Sequence, residues 1–480
     1  MKTVAHNTAF LTGASIIQKA LSFLYFIVLS RAFGASGIGA YTYALSFTTI
    51  FAIIVDGGVT PVLIREIAAH PAAAAHTLRR ALQCKAILFF LALLAMLSVG
   101  FFLDAARTLW PLIAIAGVVM TFDSLNLTLY GVLRGFHTVQ LESLGLLVAQ
   151  TIAIIFGLCA VVFHAPIAIA IIGLGAASIT NSLLSGRAVF KMLRTITQPV
   201  ISKLTIKEFI REAIPFGLAG AFARGYSYLD ALIIGEQVSV AAVGLYSIAN
   251  KLTFAFQFVP LALSASLYPA FAKELSERTH ETPEKLRGLW NNAQRYVIFV
   301  GTGIVVGLVV LAKNLLHLYG NSFGEAHIVL TILALSLVAS FISYPTGALL
   351  NAAKLQHLQT TAMGVTFAIN AILNLLLIPR VGIVGAACAA WIGNMCLASV
   401  GAYYAHQRVV KLPWVSFTKN LMIAVCAGIC GAFVLYGLRV ILPWMIAGIG
   451  GIIMYAALLI VFGGVSTAEC KGLFARLLRI

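Results

Sequence analysis

The sequence predicts an all-α polytopic membrane protein: about fourteen transmembrane helices in two parallel-repeat six-helix bundles, plus two C-terminal helices. Composition, apolar run length and the distribution of charge support this fold class. Of the 480 residues, 61% are hydrophobic and 10% are charged, whereas a soluble domain carries about 25% charged residues. Because so few polar side chains cannot cover a water-soluble globule, the chain belongs in a bilayer. Its apolar runs fit membrane helices of about 20 residues rather than the short alternating strands of a β-barrel.

The apolar segments are bounded by charged or turn residues and define the predicted spans. The first run is too long for a signal-peptide core and no small-residue cleavage site follows it, so we expect a retained helix. The fourteen spans fall at residues 9–30, 38–58, 84–103, 109–132, 140–162, 166–186, 212–235, 239–265, 295–316, 327–350, 358–378, 382–404, 417–438 and 442–463.

The basic residues alternate between the two sides of the predicted membrane. Of 32 Lys and Arg residues, 23 fall in loops on the side of the N-terminus, five fall on the other side and four lie within spans. Since cytoplasmic loops collect Lys and Arg, both termini are predicted to be cytoplasmic. The segment "TIKEFIREAIP" before the seventh span and the tail "KGLFARLLRI" are basic and amphipathic, and we expect them at the anionic inner leaflet.

Two pairs of segments repeat in the same order along the chain. "GAYTYALSFTTIF" from Gly39 resembles "GLYSIANKLTFAF" from Gly244, and "YGVLRGFHTVQ" from Tyr130 resembles "TGALLNAAKLQ" from Thr346. Six spans separate the members of each pair, so the halves keep the same direction and form parallel repeats around a central cleft. The predicted domains are an N-terminal bundle, a cytoplasmic linker, a C-terminal bundle, and two extra spans with the tail, at residues 1–190, 191–211, 212–405 and 406–480.

Three cations lie deep within predicted spans, where a charge is costly. Lys19, Arg224 and Lys251 are each about 15 to 18 Å from a span end, near the midplane, on faces of small or polar residues. They predict a wet basic cavity that binds a phosphate or pyrophosphate, with Arg224 gripping two oxygens. The structural alternative is that each cation is paired with a carboxylate. Arg31 and Lys85, nearer span ends, either contact the same substrate or extend to the membrane surface.

Four carboxylates also lie within or beside the spans. Asp123 shares a face with other polar residues of the fourth span, and it either neutralises a cation or carries a coupling ion. Asp56 and Glu142 lie nearer the inner end, and Asp230 nearer the outer end. Asp230 is about 120° around the helix from Arg224, which disfavours a direct pair. Coupling to the membrane potential alone stays open.

The sequence carries no pattern typical of an enzyme. It has no phosphate loop and no nucleophile elbow. Its seven Cys residues are scattered without metal-ligand spacing. We therefore expect no catalytic activity, no cofactor and no metal. Since most of the positive charge follows membrane topology, nucleic acid is not an expected partner.

Four segments resemble the polysaccharide-transporter flippases of the multidrug/oligosaccharidyl-lipid/polysaccharide exporter superfamily. They are "KALSFLYFIVLSRAFGASGIGAYTYALS", "VDGGVTPVLIREIA", "YLDALIIGEQVSVAAVGLYSIANKL" and "IPRVGIVGAACAAWIGN". With the span count, they cover nearly the whole chain. The resemblance implies two six-helix bundles in a V shape. It also implies export of a polyprenyl-pyrophosphate-linked oligosaccharide across a bacterial inner membrane.

The first span bears on the choice of substrate within this family. Lipid II flippases of the group carry a basic residue twelve positions before an Arg-x-Phe-Gly motif, and Lys19 matches that place before Arg31. They carry a second basic residue midway along the span, where this chain is aromatic and aliphatic. This difference favours an O-antigen, capsule or exopolysaccharide precursor over lipid II.

The resemblance implies transport by alternating access. The diphosphate head and sugars enter the cavity, the isoprenoid tail stays among membrane lipids, and the bundles rock to release the cargo. A lipid II flippase and a multidrug or cation antiporter of the same superfamily are the alternatives, although an antiporter needs an acidic cavity. A further alternative is a non-transporting scaffold, and association with glycosyltransferases or a polymerase also stays open.

Overall fold

The computed structural model describes residues 2–196, 205–277 and 280–465, with side chains at residue 18 and over residues 21–138, 140–196, 205–277 and 280–465. The predicted basic tail and part of the predicted linker lie outside these ranges.

Within the described ranges the chain folds into α-helices joined by short turns. The helices are α1 (Lys2–Asp56), α2 (Val59–Ala69), α3 (Ala74–Phe102), α4 (Asp104–Thr108), α5 (Trp110–Gly135), α6 (Val139–Val162), α7 (Ala168–Arg194), α8 (Ile206–Gln237), α9 (Val240–Phe254), α10 (Phe258–Glu277), α11 (Thr282–Val310), α12 (Ala312–His317), α13 (His327–Ala352), α14 (Gln356–Val381), α15 (Ile383–Arg408), α16 (Trp414–Ile441) and α17 (Trp444–Val461).

A glycine kink divides α1 into two membrane-length arms. Gly34 has φ 64° and ψ −171°, values that are not helical. This region of backbone conformation is essentially open to glycine alone. The arms on either side of Gly34 correspond to the first two predicted spans, which the sequence separates by a short polar stretch.

Residues Met1–Leu245 form one compact unit, called unit 1. Here α1 packs against α3, α5, α6 and α8, while α7 packs against α5 and α6. A hydrophobic core at one end of the unit joins α2, α3, α5 and α8 through side chains such as Leu63, Val132 and Phe209. The seventh predicted span, now α8, is therefore anchored within unit 1.

The N-terminal end of α8 is a capping box. The Thr205 hydroxyl accepts the Glu208 backbone N–H at 3.3 Å, and the Glu208 carboxylate accepts the Thr205 backbone N–H at 2.7 Å. The backbone and side-chain hydrogen bonds from Thr205 lower the pKa of Glu208. Phe209 is buried while Lys207 is exposed, so the predicted amphipathic segment is the first turns of α8.

Residues Tyr246–Ile480 form the second compact unit, called unit 2. In its described part, α13 packs against α10, α11 and α15, and α14 packs against α15. The last two helices, α16 and α17, pack against each other and against α11. Trp290 is fully buried on α11 and donates from its indole N–H to the Thr346 hydroxyl at 3.2 Å.

The helices confirm the predicted fold class. Twelve candidate spans in the described ranges are long and apolar enough to cross a membrane. Two predicted spans share α1, and α8 is not among the twelve because Arg224 and Asp230 make it less apolar. Each predicted span therefore has a helix, although fourteen is an approximate count.

The boundary between the two compact units falls at a different place in the chain from the predicted domain boundary. The boundary between the units follows Leu245, whereas the internal repeat places a linker at residues 191–211. The division into two parallel-repeat bundles stays a prediction.

Candidate functional site

Unit 1 contains a cavity of about 290 Å³ between α1, α5 and α8. Its walls combine apolar side chains with seven polar or charged ones. Such a mixture of apolar walls and a few convergent polar groups is typical of ligand sites. The polar and charged lining residues are Thr48, Thr49, Asp56, Asp123, Ser124, Arg224 and Tyr228.

Lys85 is paired with Asp56 at the edge of this cavity. The Lys85 Nζ lies 2.9 Å from Asp56 Oδ1 and donates to the Ser124 carbonyl oxygen at 3.1 Å. The Thr60 hydroxyl donates to the same Asp56 oxygen at 2.7 Å. Lys85 is buried, and a buried charge is stable only when it is paired and hydrogen-bonded. The Asp56 carboxylate therefore offsets the Lys85 charge.

Asp123 joins α5 to α7 through hydrogen bonds beside the cavity. The Ser178 hydroxyl donates to Asp123 Oδ1 at 2.5 Å. The Asn126 amide donates to the Ser178 carbonyl oxygen at 3.1 Å, and the Ser182 hydroxyl donates to Asn126 Oδ1 at 2.9 Å. Asp123 is thus held in place by a polar network while it still lines the cavity.

Among the described residues that line the cavity, Arg224 is the cation. Over the residues that the structure describes, it makes no hydrogen bond and no ion pair. Tyr228 lies one turn further along α8 and lines the same cavity. The five N–H donors of a guanidinium suit it to binding phosphate oxygens in pairs.

Close backbone packing positions the α8 residues. A Cβ built on Gly217 would lie 2.8 Å from the Gly57 carbonyl oxygen, and one built on Gly58 would lie 2.1 Å from the Ala213 carbonyl oxygen. Only glycine permits such an approach. The first half of the predicted small-residue face of α8 therefore packs against the turn that follows α1. Arg224 lies two helical turns after Gly217, at the cavity.

Several predicted site residues lie outside this cavity. Glu142 is buried and accepts hydrogen bonds from Arg134 Nε at 2.9 Å and Nη2 at 2.5 Å. Asp230 is buried and accepts the Ala231 backbone N–H at 2.7 Å. Arg31 is exposed on α1. Roles for these three residues in binding or coupling stay predictions.

The other two predicted cations, Lys19 and Lys251, are not among the described residues that line this cavity. The Lys19 side chain lies outside the described residues. Lys251 is half-buried on α9 and belongs to unit 2. Within unit 1, the structure brings together Arg224, Lys85 and two of the predicted carboxylates.

Sequence reasoning missed several residues of the site. Tyr228 is four residues after Arg224, so helical spacing places it on the same face and could have identified it. Thr48 and Thr49 lie on an apolar stretch and carry no comparable signal. Ser178 is 55 residues from Asp123 in the chain. A hydrogen bond over that separation depends on tertiary packing.

The fold is that of known membrane transporters. The solved structure titled lipid II flippase MurJ, inward closed conformation, matches with a TM-score of 0.72 and 16% identity, over 94% of this chain and 98% of that chain. An inward-facing multidrug resistance MATE family transporter of the MOP superfamily matches with a TM-score of 0.64 and 16% identity, over 84% of this chain and 96% of that chain. At these identities the likeness concerns the fold.

Sequence comparison identifies the family. The model of the polysaccharide biosynthesis protein family matches residues 4–274, and the MatE model matches residues 215–376. The chain belongs to the polysaccharide biosynthesis protein family.

Two relatives are from Haloferax volcanii. The "probable flippase AglR" is 34% identical over 196 residues, which are 40% of this chain and 40% of that protein. The "probable low-salt glycan biosynthesis flippase Agl15" is 22% identical over 316 residues, 63% of this chain and 65% of that protein. Both matches cover less than two thirds of the relative's length.

Proposed function

We propose that this chain is a flippase that moves a polyprenyl-pyrophosphate-linked oligosaccharide across a membrane by alternating access. The family, the flippase names of both relatives and the MurJ-like fold support this proposal. We place the protein in a bacterial cytoplasmic membrane with both termini inside, as the distribution of Lys and Arg favours.

The unpartnered Arg224 is the observation that carries the proposal. A guanidinium in a membrane cavity is costly unless an anion or water satisfies its donors. The pyrophosphate of a lipid-linked sugar supplies charged oxygens in the geometry that arginine binds. Because Asp56 already offsets Lys85, Arg224 is the positive charge available for the cargo among the described residues of this cavity.

Other predicted residues have distinct roles in this mechanism. Lys19, Lys251 and Arg31 add positive potential along the path of the head group, and Lys85, whose charge Asp56 offsets, donates hydrogen bonds to it. Asp123 binds a coupling cation or proton, since its carboxylate lines the cavity beside Arg224. Asp230, Asp56 and Glu142 are the further candidates for coupling. Glycosyltransferases or a polymerase are proposed partners, and their co-purification with the flippase would test that.

A cation antiporter is the second candidate function. Two carboxylates, Asp56 and Asp123, line the cavity, and carboxylates attract organic cations. The MatE model also matches part of the chain. Efflux of a fluorescent organic cation, with no effect on surface glycan, would favour this function over the flippase.

The test is complementation of strains that lack a flippase for O-antigen, capsule, exopolysaccharide or lipid II, with surface glycan as the readout. Arg224→Ala is expected to reduce export about tenfold or more, because charge-assisted hydrogen bonds to the diphosphate are lost. Arg224→Lys keeps the charge without the paired donors and is expected to have intermediate activity.

The matched control is Arg107→Gln, which removes an exposed arginine paired with Asp104 on α4. It is expected to export as well as the parent. Equal export by Arg224→Ala and the parent would refute the role of the cavity. Failure of the parent with all four precursors would refute the flippase function.

A further inference from the structure

Glu236, near the end of α8, connects three segments of unit 1. The Tyr43 hydroxyl of α1 donates to Glu236 Oε1 at 2.5 Å. The Ala105 backbone N–H, in the first turn of α4, donates to Glu236 Oε2 at 3.2 Å. Tyr43 is fully buried. One carboxylate therefore fastens α8 to α1 and to α4, with both of its oxygens used.

The backbone at this end of α8 leaves no space beside α1. A Cβ built on Gly235 would lie 2.4 Å from the Tyr43 ring, and one built on Gly39 would lie 1.8 Å from the Val240 carbonyl oxygen. Contacts this close require glycine at both positions. The Glu236 end of α8 and the chain that follows it are thus sealed against α1.

The other end of α8 is fastened by a second carboxylate. Arg65 of α2 forms an ion pair with Glu212. Next to it, the Gly57–Gly58 turn touches the α8 backbone at Ala213 and Gly217. This end is therefore also closed, through an ion pair on the surface and a glycine contact beneath it.

Arg224 lies midway between the two carboxylates. Twelve residues separate it from Glu212 and twelve from Glu236, or about 18 Å of helix on each side. The cavity at Arg224 therefore has a closed contact in both directions along α8. A binding site that serves both sides of a membrane must lose one such contact while it keeps the other.

We propose that Glu236 and Glu212 are positioning residues that close the Arg224 cavity alternately, each as a latch between α8 and the helices packed on it. This inference rests on the proposed function for the direction of transport. In the predicted orientation, the Glu236 latch faces the outside and the Glu212 latch faces the cytoplasm. Release of one latch lets that end of α8 move away and opens the cavity to one side.

The two latches differ in strength. The side chains of Arg65 and Glu212 are 52% and 39% exposed, and an exposed ion pair is weakened by water and salt. The Glu236 carboxylate instead accepts from a buried hydroxyl and a backbone N–H. We therefore expect the Glu212 end to open more readily, so that the resting cavity is reached mainly from the cytoplasmic side.

Thiol labelling of a cavity residue tests the proposal without any cargo. The reporter is Thr49→Cys, which lines the cavity, in a chain whose native cysteines are replaced. A membrane-impermeant maleimide is added to intact cells or to inverted vesicles. Glu236→Ala is expected to raise labelling from outside about tenfold, which corresponds to about 1.4 kcal/mol. Glu212→Ala is expected to raise labelling from the cytoplasmic side about twofold.

Two further variants sharpen the labelling test. Tyr43→Phe removes one donor to Glu236 and keeps the ring, so it is expected to raise labelling from outside by less than Glu236→Ala does. Arg107→Gln changes the charge of α4 without touching Glu236, and its labelling is expected to equal that of the parent. Unchanged labelling in both alanine variants, or increases from the same side in both, would overturn the proposal.

Hydrogen exchange provides a second measurement in the chain with its native cysteines. The Ala105 amide is bonded to Glu236 and is expected to exchange faster in Glu236→Ala, whereas amides of α14 in unit 2 keep their rates. Equal exchange at Ala105 in both proteins would also overturn the latch. A chain that labels as expected but restores no glycan would keep the latches and lose the flippase function.

Discussion

The described parts of the two units differ in whether they bury charged side chains. Among the side chains of unit 1 that the structure describes, the buried charged residues are Lys85, Glu142 and Asp230. In the described part of unit 2, the buried polar side chains are all uncharged: Thr253, Thr282, Gln294, Thr302, Ser336, Ser340, Thr346, Thr366, Asn370 and Asn374. The charged cavity described above lies in unit 1, whereas the buried polar side chains in the described part of unit 2 are neutral.

The buried charged and the buried neutral side chains have different physical explanations. Buried charges inside a membrane are costly and mark pathways for ions or substrates. Neutral hydrogen bonds such as that from the Trp290 indole of α11 to the Thr346 hydroxyl of α13, at 3.2 Å, hold helices together at about 0.6 kcal/mol each. Charge in unit 1 therefore points to a site, whereas polarity in unit 2 is explained by helix association.

Removal of the Asp56 carboxylate of unit 1 is expected to have the largest effect on stability. Asp56→Ala leaves Lys85 buried without its counter-charge, and we expect a loss of about 3 to 5 kcal/mol in the free energy of unfolding. Thermal unfolding in detergent and the yield of monodisperse protein measure this loss.

A double variant is the control for that prediction. Asp56→Leu with Lys85→Met replaces the pair by apolar groups and is expected to recover most of the stability, because no unpaired charge remains. If Asp56→Ala unfolded at the temperature of the parent, the ion pair would not stabilise unit 1.

A neutral hydrogen bond in unit 2 is expected to contribute less to the free energy of unfolding than the ion pair of unit 1 does. The Tyr455 hydroxyl donates to the Phe299 carbonyl oxygen at 2.8 Å between α17 and α11. Tyr455→Phe keeps the ring and is expected to cost about 1 kcal/mol. The same unfolding measurement checks it, and a cost equal to that of Asp56→Ala would remove the contrast between the units.

The smallest effect is expected from an exposed charge of unit 1. Because its pKa is lowered in the folded chain, Glu208 stabilises the start of α8 fully above its unfolded pKa of about 4.3. This contribution is lost as the pH falls through the lowered pKa. Exchange of the first amides of α8 should therefore increase in acid relative to later amides, and Glu208→Gln, which removes the titrating carboxylate, should abolish that pH dependence.

Much of the fold could be predicted because membrane spans depend on local composition. The predicted span at 358–378 lies within α14 (Gln356–Val381), and the span at 109–132 nearly coincides with α5 (Trp110–Gly135). The grouping of α8 with unit 1 could not be predicted from local composition. It depends on backbone contacts such as that between Gly58 and Ala213, and these arise from tertiary packing.

Part of the site could be predicted because residues on one face of a helix are close in sequence. Helical spacing placed Arg224 on a small-residue face and placed Asn126 and Tyr130 on the face of Asp123. The ion pair between Lys85 and Asp56 joins residues on different helices. Depth along a span does not reveal which side chain from another helix lies opposite. The pairing therefore required coordinates.

The kink in α1 has a consequence for chirality. At Gly34 a built Cβ meets no atom within 4 Å, so the site has room for a methyl group and only the backbone angles resist one. The mirror image of φ 64° and ψ −171° lies close to the polyproline II conformation. A D-alanine installed there by chemical ligation should keep the bend, whereas L-alanine should strain it, so this joint selects for handedness rather than for size.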